Sequence, residues 1–165
     1  MRVDMTRCTA SLEDCRAAWE RLGGRGLSAA ILNDEVPPTC HPLGRENKLI
    51  LAPGLLAGSS APTSGRISAG GKSPLTGGIK EANAGGTAAQ LLAKLGIKGI
   101  IIQGEPPEDR LHLIHITQAG AAVLPAEEHR GLGNYELTAR LRGRYGTHAG
   151  TLLSLIHISE PTRPY

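Results

Sequence analysis

The sequence contains no phenylalanine, and its aromatic residues are only Trp19, Tyr135, Tyr145 and Tyr165. None falls between residues 20 and 134, so a core over that span has to be built from Leu, Ile, Val and Ala. Platforms on which bases could stack are therefore missing. The 18 Lys+Arg against 15 Asp+Glu give a net charge of +3 without a dense basic stripe, so the usual equipment of a nucleic-acid binder is absent. Apolar runs fall far short of the ~20 residues that span a membrane. No charged-then-apolar leader opens the chain, so the expectation is a cytoplasmic protein without a membrane partner. Cys8, Cys15 and Cys40 are odd in number and lack a CxxC, which reads as three reduced thiols rather than a disulfide frame or a metal site.

Glycine and proline are present in excess. The 22 Gly and 11 Pro make up a fifth of the 165 residues. The glycines follow no three-residue period, which excludes a collagen, and runs such as Ile100-Ile101-Ile102 need burial, which argues against disorder. The length suits about one globular domain.

A coarse pass along the chain predicts an α+β order. Met1–Met5 reads as a short strand. Ser11-Leu12-Glu13-Asp14 resembles a capping box, and Leu12, Cys15, Trp19 and Leu22 recur at helical spacing up to Gly23-Gly24. A second helix is expected from about Leu27 to Asp34, stopped by Pro37-Pro38. Lys48–Ala52 is a strand candidate, and Pro53–Gly86 reads as loops and short strands, with nine glycines in 34 residues. Thr87 opens a helix through Leu95, Lys98–Gln103 is a buried strand, Leu111–Ile116 and Ala121–Leu124 form a hairpin, and Asn134–Tyr145 is a basic helix. No repeat of 20–50 residues is visible. The last thirteen residues, Leu153–Tyr165, look like the translation of a sequencing-library adapter and are set apart from residues 1–152.

The glycine-rich segment offers candidate ligand contacts, because glycine lets backbone amides approach a ligand without a Cβ in the way. Gly70-Gly71-Lys72-Ser73 is not a P-loop, since Arg66 stands where GxxxxGK[ST] requires glycine. No GxGxxG follows a strand. Asn83-Ala84-Gly85-Gly86-Thr87 leads into a helix start, a place that receives anions; the same residues could equally form a plain turn and cap. Catalytic groups are sparse: His41, His112, His115, His129 and His148 sit singly, no Ser lies in a GxSxG, and Glu127-Glu128 reads as a solvated loop. His112 and His115 would face opposite sides of a strand. Spacing alone supports a binding module for a phosphorylated ligand, with no catalytic residue assigned.

Several motifs in order carry a resemblance. Gly23-Gly24-Arg25-Gly26-Leu27 is followed by Leu32-Asn33-Asp34-Glu35-Val36-Pro37-Pro38. His41-Pro42-Leu43-Gly44-Arg45-Glu46-Asn47-Lys48 precedes Ser60-Ala61-Pro62-Thr63-Ser64-Gly65-Arg66. Lys72-Ser73-Pro74-Leu75-Thr76-Gly77-Gly78-Ile79 precedes Ala82-Asn83-Ala84-Gly85-Gly86. The series resembles the N-terminal domain of the tungsten-containing aldehyde ferredoxin oxidoreductases, well over residues 1–105 and weakly over 106–152.

That resemblance implies a β-rich α+β domain of two structural repeats, of which this chain would hold the first and lack the second. The domain forms a base for a tungsten bis-pterin cofactor. Arg66 would contact a pterin phosphate or ring, Asn83 would lend its backbone carbonyl to a Mg²⁺ bridging the two pterins, and Gly85 would bring its backbone close. Gly23–Leu27 would shape a turn between helices, and Lys72 could serve either fold or cofactor. The resemblance also implies an enzyme that oxidises aldehydes to carboxylic acids and passes electrons through a [4Fe–4S] cluster, held beyond residue 152, to ferredoxin. A fragment without cluster ligands would be inactive by itself, and a homo-oligomer is compatible with the resemblance.

Two other readings stand beside it: a tungsten-dependent aryl-CoA reductase subunit of the same family, and a non-catalytic phosphate-ligand module on the same scaffold. Family members commonly carry an aromatic where Ile67 stands, and aromatics at Thr87-Ala88, so packing against the cofactor is expected to differ here. Their first strand usually starts several residues earlier, which points to a start upstream of Met1. With the second repeat absent, Ile100–Ile102 is expected to be only partly covered.

Overall fold

A computed structural model of the chain describes residues 1–153. Residues 154–165, nearly all of the stretch read as adapter, lie outside the described part. The element order is β1 (Arg2–Asp4), β2 (Thr9–Ser11), α1 (Gly24–Glu35), β3 (Lys48–Pro53), β4 (Ile67–Lys72), β5 (Ile79–Ala84), α2 (Ala88–Lys94), β6 (Ile100–Gln103), β7 (His112–Thr117), β8 (Gly120–Pro125) and α3 (Asn134–Tyr145). Short 3₁₀ turns at Ala17–Trp19 and Glu127–His129 precede α1 and α3.

Six strands form one mixed sheet in the order β2-β1-β6-β3-β4-β5, and β7 pairs with β8 as a separate hairpin. Only β1 and β6 run parallel. The sheet separates two apolar clusters. On one face α1 lays Leu27, Ile31 and Leu32 over Ile50, Ala52 and Ile101, closed by Trp19. On the other, Ala89 and Leu92 of α2 meet Val3, Leu51, Ile67 and Ile100, with Ile114, Ile116 and Val123 of the hairpin packed against them. Each fully buried aliphatic side chain contributes roughly 1.5–3 kcal/mol. The isoleucines of β6 therefore face opposite layers, as strand alternation requires.

Ile100 and Ile101 are buried, more fully than the partial cover expected for Ile100–Ile102, while Ile102 is half-buried. β6 sits inside the sheet between β1 and β3, and helices cover both faces, so the chain completes this core without a second repeat.

The capping-box reading of Ser11–Asp14 is also corrected. Ser11 ends a strand and pairs with Arg2, and Leu12 is exposed. Trp19 is held on the 3₁₀ turn by a 2.9 Å hydrogen bond from its Nε1 to Asp34 Oδ2 on α1. The long helix begins only after Gly23 and ends at Val36, whose extended backbone (φ −111°) is what a residue before proline prefers. The Pro53–Gly86 stretch is more regular than its glycines suggested, since β4 and β5 form a full antiparallel hairpin.

An ordered repeat does emerge, at a spacing longer than 20–50 residues. Hairpin, 3₁₀ turn and helix occur first as β1–β2, Ala17–Trp19 and α1, then as β7–β8, Glu127–His129 and α3. Leu22-Gly23, Leu27-Ser28-Ala29 and Ile31 recur as Leu132-Gly133, Leu137-Thr138-Ala139 and Leu141, 110 positions later. The chain thus carries one complete unit and the opening of another.

A polar network ties the first unit together at the C-terminal end of α1. Glu35, its side chain only 8% exposed, receives hydrogen bonds from Arg2 (2.9 and 3.0 Å) and Lys48 (2.6 Å), and Arg16 pairs with it at 3.1 Å. Burial alone would raise its pKa, but the donors from Arg2 and Lys48 outweigh that and bring it down to about 2.

Candidate functional site

The three residues singled out by resemblance come together at the open edge of the sheet. Arg66 immediately precedes β4, Asn83 lies on β5 opposite Ser68, and Gly85 follows β5. Strand alternation puts Arg66, Ser68 and Gly70 on the α1 side of β4, and Glu81, Asn83 and Gly85 on the same side of β5. Arg66, Asn83 and Gly85 are all exposed.

The guanidinium of Arg66 is committed to one neighbour. Its Nε donates to Asn83 Oδ1, and its Nη2 reaches the Asn83 backbone carbonyl at 3.5 Å, a long contact that leaves that oxygen capacity for another partner. Nη1 lies 3.8 Å from where a Cβ on Gly85 would stand. Among the described residues Arg66 has no carboxylate partner and Nη1 has no hydrogen bond. Arg66 is thus not spent on a surface ion pair.

A second tier of polar residues lies behind these. Ser68, 1% exposed, donates from Oγ to Glu81 Oε1 at 2.6 Å and accepts from Asn83 Nδ2 at 3.2 Å. Arg25, in the first turn of α1, pairs with Glu81 Oε2 at 3.2 Å. The Ser68 hydroxyl holds the Glu81 pKa below the usual carboxylate value; partial burial opposes this and Arg25 adds to it. Ser68 and Glu81 lie outside the motifs, and Arg25 lies in one that reads only as a turn. The signal that could have found them is period-two alternation on two strands whose register the sequence alone does not reveal.

Other motif residues turn out to serve the fold. Lys72 Nζ donates to the carbonyls of Pro38 and Cys40 (2.7 Å to Cys40), fastening the α1–β3 loop to β4. Asn47 bridges Pro42 and Lys72. Gly70 lies in β4 beneath α1, and Gly23 abuts the backbone of Leu55, so Gly23–Leu27 opens α1 instead of joining two helices. Ile67 points into the core against Ala89 and Leu92, away from Arg66. Its departure from the family's aromatic therefore alters the core and not the exposed edge. Thr87 starts α2 without a side-chain cap bond, and α2 is only seven residues long.

The histidines do not assemble. His112 Nε2 stands 3.6 Å from Cys8 Sγ, while His115 packs on the ring of Tyr145, so the two face different neighbours as expected. His129 is not solvated: its side chain is 11% exposed, Nε2 lies 3.8 Å from Glu128 Oε1, and neither ring nitrogen has a hydrogen-bond partner among the described residues. Cys8, Cys15 and Cys40 are free thiols. Among the described residues no group of three or more His, Cys, Asp or Glu could hold a metal ion, and no helix is long and apolar enough to cross a membrane. Two hollows, of about 260 and 370 Å³, lie at Leu22–Ile97 and at Glu35–Lys48, and Arg66, Asn83 and Gly85 line neither. The candidate site is an open shelf and not a cavity.

Residues 1–156 match the family model described as "Aldehyde ferredoxin oxidoreductase, N-terminal domain". The chain belongs to the aldehyde ferredoxin oxidoreductase family. It is 36% identical over 157 residues to the tungsten-containing aldehyde ferredoxin oxidoreductase of Pyrococcus furiosus, covering 94% of this chain and 26% of that protein. Against the enzyme of the same name from Thermococcus kodakarensis it is 45% identical over 107 residues, 64% of this chain and 18% of that protein. In structure it is similar to a chain of the active site complex BamBC of benzoyl coenzyme A reductase in complex with 1,5 dienoyl-CoA. The TM-score there is 0.80 at 32% identity, over 89% of this chain and 22% of that one. The chain spans about a quarter or less of the length of these relatives, and the part it matches in the family model is the N-terminal domain.

Proposed function

We propose that this domain supplies one side of a base for a tungsten bis-pterin cofactor, and that the full protein oxidises aldehydes to carboxylic acids with ferredoxin as electron acceptor. The observation that supports it most is Arg66. A planar guanidinium free of carboxylates, poised over the Gly85 backbone and beside an under-used carbonyl of Asn83, suits a phosphate-bearing ligand lying flat on the sheet edge. The residues fit such a group: Arg66 offers a fork of donors to a phosphate, the Asn83 carbonyl offers a hard oxygen to a Mg²⁺, and Gly85 presents no side chain that would hold the ligand off. When bound, the tungsten centre supplies the two-electron chemistry. This chain's share is binding and orientation. The remaining contacts, the [4Fe–4S] ligands and the substrate channel belong to the rest of the protein, which we place in the cytoplasm.

Elemental analysis of the anaerobically purified full-length protein tests this reading. Tungsten in proportion to protein, with aldehyde-dependent reduction of ferredoxin, is the expected result. A folded protein with neither tungsten nor molybdenum would contradict it.

The likeness to the benzoyl coenzyme A reductase chain favours a second reading, an aryl-CoA reductase subunit holding the same cofactor. Assays with an aryl-CoA thioester beside simple aldehydes separate the two.

A further inference from the structure

We propose that Glu81 is a positioning residue for this site: acting through Ser68, it sets the orientation of the Asn83 amide and thereby holds the Arg66 guanidinium where a pterin phosphate meets it. The inference rests on the cofactor reading above and goes beyond it, since Glu81 itself is not expected to touch the cofactor.

The argument is one of donors and acceptors. An ionised carboxylate only accepts, so the 2.6 Å contact between Ser68 and Glu81 Oε1 uses the single hydroxyl proton of Ser68. The Ser68 oxygen can then only accept from its other neighbour. Asn83 must accordingly turn its amide nitrogen toward Ser68, at 3.2 Å, and the same nitrogen lies 3.5 Å from Glu81 Oε1. That leaves the amide oxygen facing outward, where Arg66 Nε donates to it. Every link runs in one direction, fixed at the buried end by a carboxylate that only accepts and at the exposed end by a guanidinium that only donates.

Ser68 is 1% exposed, so water does not readily replace a missing partner there. Arg25 holds the second oxygen of Glu81 and so keeps the carboxylate in place from α1. Without the carboxylate, the Ser68 proton is free to point at Asn83. Ser68 and Asn83 Nδ2 would then face each other donor against donor, and the amide would lose its hold on the buried side. The guanidinium would lose its anchor while the strands stayed paired.

The test uses the full-length holoenzyme, with released pterin and tungsten per chain measured after dialysis, and the melting temperature of each apoprotein measured in parallel. Glu81→Ala is expected to lose cofactor roughly 10-fold faster than wild type, the scale found for supports of bound ligands. Its apoprotein should melt only a few degrees below wild type, and Ser68→Ala and Glu81→Gln within the same range. Glu81→Gln, which keeps an acceptor for Ser68, should restore most of the retention, and Ser68→Ala should behave like Glu81→Ala. Should Glu81→Ala fail to fold, the contrast between Glu81→Gln and Ser68→Ala carries the test.

Wild-type retention in Ser68→Ala and Glu81→Ala would overturn the proposal. So would apoprotein melting temperatures that fall in step with retention, which would mark a merely structural role. Arg66→Ala separates the two levels. If Arg66→Ala keeps its pterin, the cofactor reading itself fails; if Arg66→Ala loses pterin and Glu81→Ala does not, only the role of Glu81 fails.

Discussion

Gly70 on β4 lies beneath Ser28 of α1 so closely that a β-carbon on the glycine would stand 2.8 Å from that of the serine. The contact draws α1 onto the β4–β5 hairpin and brings Arg25 within reach of Glu81. Gly70→Ala is therefore expected to destabilise the chain by about 2 kcal/mol, as overpacking of a closed core does, measured by urea unfolding. Ser28→Ala, which removes only a hydroxyl bonded to the Arg25 carbonyl, should cost much less.

The two repeat glycines make opposite predictions. A Cβ on Gly23 would meet the backbone nitrogen of Leu55 at 2.5 Å, whereas one on Gly133 meets nothing within 4 Å. Gly23→Ala should destabilise by about 2 kcal/mol or more, and Gly133→Ala should stay within about 0.5 kcal/mol of wild type. Equal effects in thermal unfolding would contradict the placement of α1 against the loop after β3.

Acid sensitivity should centre on Glu35. Its folded pKa of about 2 lies below the ordinary 4.5, so its contribution is full above roughly pH 4.5 and is lost as pH falls toward 2. Glu35→Ala leaves Arg2 and Lys48 without their shared partner and should cost about 3 kcal/mol at pH 7. The difference between wild type and Glu35→Ala should shrink as unfolding is repeated at pH 4, 3 and 2.5.

Trp19 is the single tryptophan, 6% exposed, and its indole N–H is spent on Asp34. Asp34→Ala strands that donor in a nearly closed site and should lower stability by about 1–2 kcal/mol, followed by Trp19 emission during urea unfolding. An unchanged midpoint would argue against the bond.

What the sequence disclosed divides along physical lines. Where a segment's own chemistry decides, the reading held: the strand at β6, the basic helix Asn134–Tyr145 and the arrest of α1 before Pro37-Pro38 all appear as expected. Where distant partners decide, it did not. Ser11 looks like a helix cap until Arg2 pairs with it, and Trp19 sits at helical spacing but is fixed by Asp34. The repeat is masked because Trp19 and Asp34 recur as His129 and Arg144, so the bond between the first pair has no counterpart in the second.

The site follows the same division. The family resemblance carries Arg66, Asn83 and Gly85 by local motif. Ser68 and Glu81 join them only through the register Ser68↔Asn83 and Gly70↔Glu81, which no single segment encodes. Lys72 shows the converse, a motif residue whose ammonium closes a loop.

The most direct test of the account is the pterin and tungsten content of the full-length protein carrying Arg66→Ala, purified anaerobically beside wild type. The account predicts a folded protein, melting as the wild-type apoprotein does, with most of its pterin and tungsten gone. Wild-type cofactor content in that variant would contradict it.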